Sequence, residues 1–317
     1  MNSSRNIGSK GVFLLICLFL SSLSLTGCEE DVVGVLGTNH PFTLYGVFTP
    51  GPDTQWVRVF SVQEKLDLIK PEPLDATFIS TNVTTGQTYT WRDSVTQDER
   101  GRYSHVFWAP FSVEYGETHR VEVTRSDGEM SSAEVKIPVL SELIEQEPEL
   151  NFRTVTQPVL VSGATDRLIR MEVSYKIINA PTAQGSQPDI VLRYDGKQRM
   201  TADGWVVDVA LSEDIQFLRE ELAKTGNWFP SFGVGLTSMT LNLMVVDDAW
   251  NPPDGNFDPT VLVQPGTLTN VVNGFGFIGA GYRLDTTWRP PEEALQQAGF
   301  RPADDGDDEE EEPDPLG

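Results

Sequence analysis

Arg120-Val121-Glu122-Val123-Thr124-Arg125 alternates polar and apolar residues from Arg120 to Thr124. A period of two places Val121 and Val123 on one face, the pattern of a strand with one buried side. Runs of similar composition lie on either side of it, at Phe42–Phe48, Gln55–Val62, Ala76–Asn82, Thr88–Arg92, Arg102–Trp108 and Ser132–Ile137. Turn-forming clusters separate them: Pro50-Gly51-Pro52-Asp53, Asp98-Glu99-Arg100-Gly101 and Ser126-Asp127-Gly128. Short strands at this spacing predict an Ig-like β-sandwich over residues 40–138.

Beyond Pro138 the pattern breaks. Residues 139–152 hold Glu142, Glu145, Glu147, Glu149 and Pro148, and read as a linker with a short helical stretch around Ser141–Gln146. A second β-rich domain is expected over 153–288. Its strand candidates are Thr154–Val161, Leu168–Ile178, Ile190–Tyr194, Gly204–Leu211, Thr237–Val246 and Leu268–Tyr282. One helix interrupts them. Ser212 suits its N-cap, Glu213 and Asp214 suit the positive end of its dipole, and Gly226 suits its close. Ile215, Leu218 and Leu222 share one apolar face, and Glu220 and Lys224 are spaced to pair along the helix. Residues 289–317 read as a disordered acidic tail, with nine acids between Asp304 and Asp314 and no base among them. The fold class expected is therefore all-β, in two domains with one α-helix.

The N-terminus reads differently. Arg5 and Lys10 precede the apolar run Gly11–Leu20, too short for the roughly 20 residues that a bilayer core demands but suited to a secretory signal. Leu25-Thr26-Gly27-Cys28 follows and resembles a bacterial lipobox. Residues 1–27 are thus expected to be a lipoprotein signal peptide, with lipid on Cys28 and residues 28–39 as the anchor linker. Each buried methylene contributes about 0.8 kcal/mol, and two or more acyl chains hold a protein stably. The other cysteine, Cys17, lies in the discarded run, so the mature body is expected to have neither disulfide nor thiolate metal site.

Net charge is −24, with 47 acidic residues against 23 basic ones. Such a surface repels phosphate backbones and argues against nucleic-acid partners. Lysine is scarcer than arginine, and a lysine-poor acidic surface is favoured where salt screens self-repulsion.

No catalytic residues are expected. His40, His105 and His119 fall in no paired ligand spacing, and no Gly-x-Ser-x-Gly elbow occurs. Gly274-x-Gly276-x-x-Gly279 spells a dinucleotide fingerprint, but no helix follows and no βαβ unit surrounds it; close strand packing or bulges explain those glycines better. Asp254, Asn256 and Asp258 alternate as oxygen ligands in a calcium loop do. Pro259 and Pro265 fall where that loop needs glycine and a bidentate glutamate, so a plain polar loop competes with the metal reading. No other cofactor is expected. Trp91, Trp108, Trp228 and Trp250 admit a glycan platform, with core or edge packing as the default.

Phe42-Thr43-Leu44-Tyr45-Gly46, Ala76-Thr77-Phe78, Gly101-Arg102-Tyr103, Tyr115–Val123 and Thr269–Ala280 together resemble motifs of the two-domain lipoproteins of Bacteroidota, a family whose domain has no assigned function. The likeness spans most of residues 28–285. It implies outer-membrane attachment, often facing the cell exterior, and partnership with a TonB-dependent transporter; Glu29-Glu30-Asp31 is similar to that phylum's surface-export signals. It carries over no catalytic residue. The function expected is that of a non-enzymatic, lipid-anchored binding or accessory protein. The alternative is a structural cell-envelope lipoprotein with no small-molecule ligand.

Overall fold

A computed structural model describes residues 40–62, 71–97, 99, 101, 103–163, 167–178, 189–224, 233–250 and 269–302. The chain is mostly β. The first half contributes β1 (Phe42–Phe48), β2 (Gln55–Ser61), β3 (Thr77–Asn82), β4 (Thr88–Thr90), β5 (Arg92–Gln97), β6 (Tyr103–Ala109), β7 (Thr118–Thr124) and β8 (Met130–Lys136). Next come β9 (Glu142–Glu145), β10 (Glu149–Leu150), β11 (Val155–Ser162), β12 (Arg167–Ile178), β13 (Asp189–Arg193), β14 (Gln198–Thr201) and β15 (Gly204–Val209). Helix α1 (Leu211–Lys224), β16 (Gly235–Val246), β17 (Gly274–Trp288) and helix α2 (Glu292–Ala298) complete the described elements.

One eight-stranded sheet, ordered β13-β12-β16-β17-β1-β2-β6-β5, takes strands from both halves of the chain. The join is a parallel pairing of β1 with β17, running from Phe42 opposite Gly274 to Phe48 opposite Ala280. Glycine makes it close. Gly276 has φ 92°, and a Cβ there would stand 2.1 Å from the Leu44 carbonyl oxygen; at Gly274 one would meet the Phe42 oxygen at 2.8 Å. The 274–279 glycines therefore belong to a strand interface, as close packing requires.

Two smaller sheets complete the body: β4-β3-β7-β8, and β10-β11-β15-β14 with β9 added along β11. Each encloses a core against the large sheet. Phe42, Leu44, Val121, Val123, Ile278 and Ala280 belong to the first core; Val159, Tyr175, Leu218, Leu241, Tyr282 and Leu295 belong to the second. Burying each such large side chain contributes about 1.5–3 kcal/mol. Ile278, Ala280 and Tyr282 are alternate residues of β17, so both cores lie on the same side of the large sheet. That side is its inner face.

Several expectations change. Residues 139–152 contain strands rather than a helical linker: β9 and β10 both pair with β11. The residues that complete the first core, Val271, Ile278 and Ala280, come from the far end of the chain, so its members are not confined to 40–138. Residues 289–302 are not tail. Ala294, Leu295 and Ala298 of α2 and the following Phe300 are buried in the second core, and Gly299 closes the helix at φ 102°. Gly299 N–H donates to the Gln296 and Leu295 carbonyls and Phe300 N–H to that of Leu295, a glycine-terminated end. The described residues thus hold two helices, where one was expected.

α1 begins at Leu211, so Ser212 is not its cap; its hydroxyl accepts instead from the Val155 N–H at 2.8 Å. Lys224 pairs with Glu221 at 2.5 Å rather than with Glu220. Trp91 falls between β4 and β5, its indole stacked on Phe78 and its Nε1–H donating to Ser80 Oγ at 2.8 Å. β5 and β14, short and mixed in polarity, had no counterpart among the expected strands.

Candidate functional site

The outer face of the eight-stranded sheet bears the odd-numbered side chains of β17. Phe277 packs there with Tyr45, Val246, Trp250, Ile169 and Met244 in a third, smaller cluster. Every described strand or helix that adds a second layer packs on the other side. Only the turn after β16 folds over the outer face among the described residues. Asp247 holds it, its Oδ2 accepting from Ala280 N–H at 2.5 Å and its carbonyl from Trp250 N–H at 3.2 Å. Trp250 then meets Phe277 edge-on, centroids 5.7 Å apart.

Beside Trp250 lies a cleft of about 830 Å³ built on the middle of β12, β16 and β17. Its rows follow from the strand register. Arg193, Glu172, Asn242 and Asp285 stand side by side across four strands. The next row places Met244 between Ile169 and Arg283, and Arg167 flanks the far end opposite Val246. A bulge between Ile169 and Glu172 adds Arg170, which sits at φ 51°. A left-handed arginine is uncommon, and the bulge that holds it re-aims the strand at the cleft. The Met171 N–H donates to Asp195 Oδ1 at 3.1 Å and the Tyr194 N–H to the Met171 carbonyl at 2.7 Å, which pins the bulge.

Four arginines therefore line the cleft against three carboxylates, on a protein whose net charge is −24. Arg167 Nη1 donates to the Trp250 carbonyl at 2.6 Å and ties the turn to β12. Arg170, Arg193 and Arg283 are exposed and form no ion pair within the described residues. The floor is half-apolar, through Ile169, Met244 and Trp250. The arrangement suits a ligand carrying negative charge on an apolar body.

The same outer face continues across β1, β2, β6 and β5 to an aromatic ladder. Trp56 and Trp108 face each other at 5.9 Å, and the Arg92 guanidinium lies 5.2 Å from the Trp108 ring centre. Trp56 is 53% exposed.

The remaining polar clusters are internal. Asp214, expected only to suit the helix dipole, is buried and accepts from the hydroxyls of Tyr175 and Tyr194. Burial raises its carboxyl above the usual range, against the lowering effect of the two hydroxyls. Burial also pushes both phenols well up. His105 is buried with Nδ1 2.9 Å from Asp93 Oδ2, whose other partner is the Leu74 N–H. His119 lies in the first core between Phe48 and Phe111, its Nε2 3.1 Å from Glu117 Oε2. Burial alone would raise the Glu117 carboxyl, but the Glu114 N–H, His119 and Asn82 outweigh it and hold it below the usual range. His40 reaches Asn273 at 3.2 Å. None of the three histidines faces a nucleophile in a described contact.

Cys28, the calcium candidates Asp254, Asn256 and Asp258, Trp228 and the acidic run from Asp304 lie outside the described residues. Among the described residues no group of three or more histidine, cysteine, aspartate or glutamate side chains is placed to hold a metal ion. Nothing in the strand pattern pointed to the arginine cleft, because its members come from four strands and one bulge. The nearest signal was the excess of arginine over lysine.

No family model and no curated protein matches this chain. Among solved structures, the pullulanase from Anoxybacillus sp. LM18-11 matches over 65% of this chain at 11% identity and a TM-score of 0.21. The same enzyme complexed with maltotriose matches at 12% identity and a TM-score of 0.21. The chain spans about a quarter of the length of those pullulanases, 24% in each case, and a likeness so slight bears on neither fold nor function.

Proposed function

We propose that this chain is a lipid-anchored outer-membrane lipoprotein that works as a non-enzymatic binding or accessory protein, with a TonB-dependent transporter as its partner. The arginine-lined cleft carries the binding half of that reading: a concave, partly apolar site where Arg170, Arg193 and Arg283 form no ion pair among the described residues, on a face that no described layer covers. The internal clusters at Asp214, His105 and His119 support it as well, since each uses its titratable groups to satisfy buried partners. The lipobox at Leu25–Cys28 carries the anchoring half.

A Cys28→Ser chain is expected to leave the membrane fraction, and retention there would refute the anchor. The wild-type protein, pulled down from gently solubilised outer membrane, is expected to bring a stoichiometric β-barrel transporter. Recovery of envelope scaffold proteins alone would favour the structural-lipoprotein reading.

A further inference from the structure

Inside a protein with twice as many acids as bases, a group of cations kept apart from carboxylate partners needs an explanation. Elsewhere on the surface Arg125 pairs with Asp127 at 2.6 Å and Arg199 with Asp208 at 2.7 Å. In the cleft, Arg170, Arg193 and Arg283 form no ion pair among the described residues. Arg283 stands across from Met244, one row away from Asp285. Arg193 has Glu172 opposite it in the register, yet the two make no ion pair. Arg170 is held in a left-handed conformation that costs free energy, and its side chain forms no hydrogen bond with the described residues. Backbone strain of that kind persists where the surroundings enforce it, here through Asp195 and Tyr194.

Charge alone does not describe the site. Met244 and Ile169 make up the floor between the arginines, and Trp250 walls one side, its ring backed by Phe277. The wall is built rather than incidental, because Asp247 and Arg167 together fix the turn that carries it.

We propose that the cleft binds an amphipathic organic anion: a carboxylate or phosphate group held by Arg170, Arg193 and Arg283, with an apolar body lying on Met244 and Ile169 against Trp250. This inference deepens the binding function proposed above and rests on it. Guanidinium groups match both headgroups through paired N–H donors, so the chemistry common to the two is a planar or tetrahedral oxyanion on a hydrophobic tail. The surrounding acidic surface repels anions in general, so affinity depends on the apolar body entering the cleft as well as on the headgroup.

The test uses the full chain and anilinonaphthalene sulfonate, a fluorescent aromatic anion, with the uncharged phenylnaphthylamine as its control. Saturable binding of one sulfonate probe per chain is expected, weakened by added salt, with little binding of the neutral analogue. Arg283→Glu reverses an exposed cation, and Arg170→Gly removes another while relieving its backbone conformation, so both are expected to stay folded. Each should weaken the probe about tenfold, the effect of losing one charge-assisted hydrogen bond. Arg193→Gln serves as a third variant, with unchanged circular dichroism as the condition for reading any of them. Displacement by octanoate or by octyl phosphate then assigns the headgroup as carboxylate or phosphate. Equal displacement by octanol, equal binding of the neutral dye, or unaltered affinity in the folded variants would each overturn the proposal. Probe binding is independent of the lipid anchor and of the transporter pulldown, so its failure is distinguishable from theirs.

Discussion

The two faces of the eight-stranded sheet share their strands and differ in almost everything else. On the inner face Leu241, Leu243 and Val245 of β16 are buried under a second layer, and Asp214 in the same core accepts from Tyr175 and Tyr194. On the outer face the intervening Asn242 and Met244 are only half-buried, and Arg170, Arg193 and Arg283 of the neighbouring strands form no ion pair among the described residues. Alternation along one strand thus separates a face packed under a second layer from one that no described layer covers. The contrast shows where a substitution should unfold this protein and where it should change only what the protein touches.

The contrast breaks most severely if the inner face is cut. Leu241→Ala should cost about 2–5 kcal/mol in denaturant unfolding, the range for a large apolar side chain deleted from a packed core. A loss well under that range would mean that the second layer does not seal the face. Gly276→Ala comes next. It adds a Cβ against the Leu44 carbonyl at a left-handed position, and strain of that kind costs about 1–3 kcal/mol. Thermal unfolding near the wild-type midpoint would show that the β1–β17 join is looser than described.

A smaller effect depends on pH. The Asp214 carboxyl is raised in the folded state, so the fold holds its proton more tightly than the unfolded chain does. That contribution is present in full below the ordinary aspartate value and is lost as pH rises through the raised folded one. Asp214→Asn keeps an acceptor for the two tyrosines and removes the titration. Its melting temperature relative to wild type should therefore climb as pH rises through that window; a constant difference would contradict the burial argument. Glu117 has the opposite sign. Its lowered carboxyl supports the fold above the ordinary glutamate value and ceases to as pH falls through the folded one, so Glu117→Gln should be most harmful near neutrality and converge on wild type in acid.

The smallest stability effect belongs to the outer face. Arg283→Ala should lie within about 0.5 kcal/mol of wild type in denaturant unfolding, as exposed substitutions usually do. A large destabilisation would give that arginine a structural role and weaken the distinction between the faces.

Much of the β architecture could be read locally. Phe42–Phe48 is β1 at the expected bounds, and Gln55–Val62 and Thr237–Val246 each match a strand to within two residues. Strands with one buried face announce themselves through period-two patterning. β9 and β10 did not, because Glu-rich edge segments carry no apolar alternation and owe their pairing to β11. α2 carries local signals of its own: Glu292 and Glu293 at its start, Leu295 on its buried side and Gly299 at its end are ordinary helix signals. They sat too close to the acidic run to be separated from it.

The sequence by itself determined the strand-dominated composition, the apolar face of α1 and the acidic balance of the chain. These depend on residue type and local spacing, which one chain displays in full. Only the tertiary structure decided that β1 and β17, more than two hundred residues apart, join two sets of strands into one sheet. It alone decided that both cores lie on one side, leaving Arg170, Arg193 and Arg283 together on the other. Cross-strand neighbours are set by register between distant segments, and no local period records which strand will lie beside which.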